Sequence, residues 1–174
     1  MEANKIQKKI CVLGSANADY FVYLHHIPQP GETIQALKHL SANGGKGANQ
    51  AVAAARLHGE STFLGQVGND KEKKRLEKEM SESGVKLSWT IKEDNATGKA
   101  LIFVDQTGAN SIVIVGGANV DYPADLAELP VDYKKGIDES DYLMLQKEIP
   151  MIINVLAAKY AKEKKKLVIL DCGG

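Results

Sequence analysis

Four short apolar runs constrain this chain more than any other feature: Ile10 to Leu13 before Gly14-Ser15, Ser61 to Val67, Tyr142 to Gln146, and Leu167 to Asp171. Runs of this length, bounded by turn or polar residues, read as strands covered on both faces, which is the condition of a parallel sheet. Between them stand segments of helical character. Gly47 to His58 carries small residues almost all round and stops at Gly59, so it is expected to lie close against a sheet. Asn69-Asp70 opens a highly charged helix reaching about Ser83, with Leu76 and Met80 four apart as its buried stripe and Gly84 as its end. A short helix is expected over Pro123 to Leu129. Another follows Pro150, where Met151, Ile152, Val155, Leu156 and Tyr160 keep the helical period. Alternation of this kind predicts an α/β fold with a parallel sheet.

Two segments, 19–42 and 97–116, break the alternation. Asp19 to Ile27 is β-rich and closed by Pro28-Gln-Pro-Gly31, and Thr33 to Ala42 is extended in character, so the two are compatible with a hairpin-like pairing. Val85 to Ile91 is a further strand candidate. Thr97 to Asp105 and Asn110 to Val115, separated by Gln106-Thr-Gly-Ala109, predict a β-hairpin ended by Gly116-Gly-Ala-Asn119. Together these segments read as a flap appended to the core, with Tyr20, Val22 and Leu24 as its exposed apolar residues.

With 174 residues, 44% hydrophobic and 25% charged, the chain has the composition of one globular domain with a real core. Its 22 basic and 22 acidic residues cancel, which removes any generic attraction to nucleic acid or anionic lipid and favours a small ligand. No apolar run approaches the roughly 18 residues of a membrane span. Met1 to Lys9 has no signal-peptide pattern, so a cytoplasmic location is expected. Cys11 and Cys172 read as free thiols, and no residues show metal-ligand spacing; the adjacent His25-His26 would point to opposite faces of a strand. The sequon Asn95-Ala-Thr97 reads as a turn. Lys162 to Lys166 reads as a basic run at a helix C-terminus.

The stretch most informative about chemistry is Asn43-Gly-Gly-Lys-Gly-Ala-Asn-Gln50, at the start of the small-residue helix. Free backbone N–H groups, consecutive glycines, a lysine and three side-chain amides form a cradle for a polar or anionic ligand. It is not a P-loop, because Gly45-Lys46 is followed by Gly47, and it is not the dinucleotide fingerprint, whose glycines directly follow the first strand. A tight strand-to-helix turn, with glycines for backbone reasons alone, is the competing reading. Asn17-Ala-Asp19 follows the first core strand. On an extended segment its spacing of two puts a carboxylate and an amide on one face, where they can meet neighbouring hydroxyls of a polyol; an ordinary Asx turn is the alternative.

Taken in order, Gly14-Ser-Ala-Asn-Ala-Asp19, Pro30-Gly-Glu-Thr33, Gly44 to Ala54, Thr97 to Val104 and Gly117-Ala-Asn119 resemble the ribokinase-like (phosphofructokinase B) family of carbohydrate kinases, over essentially the whole chain. Within that family the Asn-x-Asp pattern favours the ribokinase branch over fructokinases and adenosine kinases. The resemblance implies a Rossmann-like, three-layer α/β/α fold with a small β-sheet lid, of which residues 1–174 would be the N-terminal portion, with lid segments at about 19–42 and 97–116. It implies that Asn17, Asp19, Gly44, Gly45, Lys46 and Asn49 bind sugar hydroxyls, that Ala100 and Ile102 pack against the sugar from the lid, and that Glu148 adds a further carboxylate. It further implies D-ribose or a related sugar as ligand, a homodimer formed through the lid, and ATP with Mg²⁺, together with a possible monovalent cation, as cofactors of the complete enzyme.

The family's catalytic base and phosphate donors come from a Gly-Ala-Gly-Asp segment at a helix start, and its Asn-x-x-Glu motif is linked to metal and phosphate. The Gly-Ala-Gly-Asp segment does not occur among these 174 residues, and the one literal Asn-x-x-Glu, Asn69 to Glu72, opens the charged helix and reads as its cap and first turn. The expectation is therefore a sugar half-site without catalytic residues, metal ligands or a nucleotide pocket, the C-terminal part of the fold being missing. In keeping with that, the last strand, Leu167 to Asp171, has no following helix to cover it.

Overall fold

The computed structural model describes residues 7–173; most of the N-terminal segment and Gly174 fall outside them. Its centre is a five-stranded parallel sheet built from β1 (Lys9–Leu13), β4 (Glu60–Gly68), β5 (Lys86–Lys92), β8 (Tyr142–Gln146) and β9 (Leu167–Asp171), in the order β5-β4-β1-β8-β9. On one face lie α1 (Lys46–Arg56) and α2 (Lys71–Glu82), packed on Val12, Phe63 and Val67 through Ala48, Ala51, Leu76 and Met80. On the other, α3 (Val131–Asp138) and α4 (Met151–Glu163) bury Tyr133, Ile137, Ile153, Ala157 and Ala161 against Cys11, Leu13, Leu64 and Leu143. The three-layer arrangement is the one expected. Small residues let α1 come close: a side chain on Gly47 would press on the Ser15 nitrogen and the Gly14 backbone.

The helix expected over Pro123 to Leu129 is instead a turn and loop, and the helix begins eight residues later, at Val131. Pro130 is the reason. It cannot sit in a helix interior, it pushes Leu129 out of the helical region, and as cap residue (φ −52°) its carbonyl accepts from the Tyr133 and Lys134 nitrogens to start the real helix. Gly136 masks that helix in the sequence, because a side chain there would meet Leu64.

The two segments that broke the alternation join in one four-stranded sheet, β3-β2-β6-β7, formed by β2 (Asn17–Tyr23), β3 (Lys38–Gly44), β6 (Gly98–Val104) and β7 (Asn110–Val115). The hairpin β6–β7 is present, and β2 pairs antiparallel with β3. What joins the halves is a parallel pairing of β2 with β6, from Asn17 opposite Gly98 to Tyr23 opposite Val104. Thr33 to Leu37 stays outside the strand, which begins at Lys38. Leu24 is buried rather than exposed, with Tyr20 and Val22 half-buried; the exposed apolar residues of this sheet are Leu40, Ile112, Val113, Ile114 and Val115. Docking on α2 accounts for Tyr20, whose hydroxyl donates to Glu72 Oε1 at 2.7 Å. Arg75 adds bonds to the Ala42 carbonyl and to Asn43 Oδ1.

Leu167, Ile169 and Leu170 of β9 are exposed, and an open apolar groove of about 740 Å³ runs between α1 and the sheet, lined by Ile10, Ala53, Ala54, Leu57 and Met144. Cys11 is buried and Cys172 exposed, both free thiols. Thr97 of the sequon is fully buried and holds a turn: its hydroxyl donates to Asp70 and accepts from the Gly68 nitrogen. No helix among the described residues is long and apolar enough to cross a membrane.

Candidate functional site

In the five-stranded sheet the chain leaves β1 toward β4 on one side and meets β8 on the other, so the strand order reverses between β1 and β8. Crevices beyond the carboxyl ends of such strands are where open α/β sheets bind ligands. Here that crevice is framed by the turn after β1 (Gly14 to Ala16), the start of α1 and the turn after β8, which carries Glu148.

Glu148 ties these three pieces together. Its Oε2 accepts from Ser15 Oγ at 2.6 Å and from the Lys46 nitrogen at 2.8 Å, while its Oε1 lies 3.2 Å from Lys46 Nζ. Burial alone would raise the Glu148 pKa, but the Ser15 hydroxyl, the backbone N–H at the helix start and the Lys46 ammonium outweigh it and hold the carboxyl below its usual range. Gly45, the cap residue of α1, has φ +86°, a conformation open to glycine at little cost. The glycine-lysine turn thus has both a backbone reason and an anion at its N–H groups.

Asn17 and Asp19 lie on one face of β2, as their spacing of two required. Their cross-strand neighbours are Gly44 and Ala42 on β3, and Gly98 and Ala100 on β6. Gly44 has no side chain because the space is taken by the Asp19 carboxylate. Ala100 and Ile102, alternate residues of β6, are buried on the same face. Asp19 itself is unusual. Its Oδ1 is shielded from solvent and has no hydrogen-bond partner among the described residues. Desolvation, with the negative charge of Glu148 adding to it and Arg75 partly opposing it, pushes its pKa up to about 6. Asp19 Oδ1 is thus a buried acceptor without a donor, the kind of group at which a ligand hydroxyl or N–H can be received.

Asn17, Asp19, Gly44, Gly45, Lys46, Ala100 and Glu148 therefore come together from four stretches of chain, with Ile102 further along β6. Asn49 is exposed on α1 and lines, with Asn43, Gly44 and Glu79, a cavity of about 290 Å³ toward α2. Residue types and spacing did not single out Ser15 or Asn119 as part of the site. Ser15 holds Glu148, and Asn119 is buried against Ala16 and Asn17. Asn119 could have been noticed, since it closes the Gly-Ala-Asn motif, whereas Ser15 carries no local signal. Among the described residues no group of three or more His, Cys, Asp or Glu is placed to hold a metal ion.

Residues 7–174 match the model of the pfkB family carbohydrate kinases. The chain belongs to that family. It is 38% identical over 169 residues to a ribokinase of Arabidopsis thaliana, covering 95% of this chain and 44% of the relative. With a ribokinase of Haemophilus influenzae the identity is 37%, covering 95% of this chain and 54% of the other. Among solved structures, Arabidopsis thaliana ribokinase complexed with ribose and ATP superposes with a TM-score of 0.88 at 36% identity, over 97% of this chain and 55% of that one. The chain thus spans about half the length of the relatives it matches, and over that half it has the family's α/β architecture.

Proposed function

We propose that this chain is the sugar-binding portion of a ribokinase-type kinase, whose whole reaction converts ATP and D-ribose to ADP and ribose 5-phosphate. The observation that carries the reading is the unpartnered Asp19 carboxylate beside Asn17 on one face of β2, with Gly44 giving it room. A sugar hydroxyl supplies the donor that Asp19 lacks, and the Asn17 amide takes a neighbouring hydroxyl. Ala100 and Ile102 form the apolar surface against the carbon skeleton, which makes the four-stranded sheet a lid over the sugar. Lys46 and Glu148, already paired, shape the end of the crevice nearest α1 and add polar contacts there, and Asn49 extends the polar surface along that helix.

The complete enzyme's ATP and Mg²⁺ do not fit residues described here. The Lys46 ammonium is paired with Glu148, the turn lacks a following Ser or Thr, and no acidic group of metal-binding size is present among the described residues. No step of phosphoryl transfer is assigned to this chain, which acts by binding and orienting sugar. Exposed apolar residues on β3 and β7 support a second property, dimerisation through the lid.

Isothermal titration of D-ribose into purified 1–174, with Asp19→Ala as control, tests the reading. Saturable heat that Asp19→Ala abolishes is expected, with no ribose-dependent ATP consumption by either protein. Comparison of ribose with fructose and adenosine ranks the sugar. Absence of ribose binding by a chain with native near-UV circular dichroism would exclude a functional half-site, and ATP turnover by the pure chain would show catalytic residues that this reading does not assign.

A further inference from the structure

At the start of β2 a series of donor and acceptor choices begins at the backbone and ends at the site. Asn119, in the 3₁₀ turn Gly117–Val120, is only 3% exposed. Its Oδ1 accepts from the Ala16 nitrogen at 3.0 Å, and its Nδ2 donates to the Ala16 carbonyl at 3.2 Å and to Asn17 Oδ1 at 2.7 Å. A backbone N–H can only donate and a carbonyl can only accept, so Ala16 permits one orientation of the Asn119 amide. The second hydrogen on Asn119 Nδ2 then faces Asn17, and only the oxygen of Asn17 can receive it. The Asn17 NH₂ group is left with no hydrogen bond among the described residues. Gly98 belongs to the same device: any side chain there would run into both Asn119 Nδ2 and Asn17 Oδ1.

We infer that Asn119 is a positioning residue that fixes the hydrogen-bond polarity of the site, holding Asn17 as a donor beside Asp19 as an acceptor. The inference rests on the sugar-binding reading for its consequence, though not for its geometry. The consequence is a demand on the ligand: of two neighbouring polar groups, one must accept from Asn17 while the other donates to Asp19. A vicinal diol meets it. A protonated amine at the Asn17 position does not, because it offers no lone pair.

The test uses the ¹⁵N-labelled 1–174 chain and separates the two readings. In the sugar-free protein both side-chain amide hydrogens of Asn119 should exchange slowly with solvent, and those of Asn17, buried but held by no acceptor among the described residues, clearly faster. Asn119→Asp keeps the acceptor for the Ala16 N–H but loses the donor, so Asn17 turns its NH₂ group toward the new carboxylate. Its amide hydrogens become protected, and ribose affinity falls about tenfold or more with near-UV circular dichroism unchanged. Gly98→Ala should push the Asn119 and Asn17 amides apart, expose the Asn119 amide to exchange and weaken ribose to a similar extent, with both asparagines kept. Equally rapid exchange of the Asn119 and Asn17 amides in the wild-type chain would overturn the inference, as would an Asn119→Asp chain that binds ribose like wild type with Asn17 resonances unmoved. If Asn119→Asp does not fold, the wild-type exchange pattern and Gly98→Ala decide. If the wild-type chain binds no ribose, the sugar reading fails and the exchange pattern alone decides the polarity.

Discussion

Asp19 illustrates how binding and stability pull apart at one residue. Its pKa is raised to about 6 in the fold, above the ordinary value of 3.8, so the folded chain holds this proton more tightly than the unfolded one. The stabilising contribution is complete below pH 3.8 and is lost as the pH rises through 6. At pH 8 the ionised carboxylate therefore costs stability. Water still reaches part of the carboxylate, so that cost is about 1 kcal/mol. Asp19→Asn should raise Tm at pH 8 by about 2–4 °C, a gain that vanishes below about pH 4 in scanning calorimetry. The same substitution should remove ribose binding. In the wild-type chain, ribose affinity should fall as the pH drops below about 6, where the acceptor is protonated. A variant that lost binding without gaining stability at high pH would show that Asp19 is not strained in the free protein.

Among the elements, α2 and β6 are coupled through one side chain. Asp70 caps α2 by accepting from the Lys73 nitrogen at 2.9 Å, and it also accepts from the Thr97 nitrogen at 2.8 Å and the Thr97 hydroxyl at 2.7 Å, just before β6. Burial opposes its ionisation, but these donors outweigh it and lower the pKa, so this contribution is present at neutral pH and lost as the pH falls through the lowered value. Asp70→Ala removes a cap and strands buried donors on Thr97, a loss of about 2–3 kcal/mol in urea unfolding. A cap serving only its helix would lose about 1 kcal/mol and leave the Thr97 amide protected from exchange. The elements also differ in how legible they were. Strands β1, β4 and β8 stand out because burial on both faces leaves no polar alternation, β9 because it carries the same apolar run although Leu167, Ile169 and Leu170 are exposed, and α2 because its cap and stop signals are local. Helix α3 was hidden by Gly136, a packing requirement imposed by Leu64 on a different element.

For the whole molecule, the apolar rows on β3 and β7 are where a second copy would be received. Leu40, Ile112 and Ile114 share the face of Asp19 and Ala100 by register, and Ile112 and Ile114 are more than half exposed, at 53% and 57%. Ile112→Lys with Ile114→Lys should convert a dimer of 1–174 to monomer in sedimentation equilibrium, with the secondary structure retained. A wild-type chain that sediments as a monomer at all concentrations would refute lid dimerisation. The groove along α1 and the exposed residues of β9 involve no residue of β3 or β7, so the double substitution leaves them unchanged.

Residue order alone determined the parallel α/β core, the glycine turn at the start of α1, and the placing of Asn17 and Asp19 on one face, since each depends on local period, burial pattern or backbone freedom. Only the tertiary structure decided how the two stray segments join in their sheet, because the parallel β2–β6 pairing joins residues some eighty positions apart and leaves no mark in either strand. It likewise decided that Glu148 is held by Ser15, 133 residues away, and that Asn119 orients Asn17 from a distance of 102. Polarity and charge at a site are set by what lies across space, and short-range sequence pattern has no term for that.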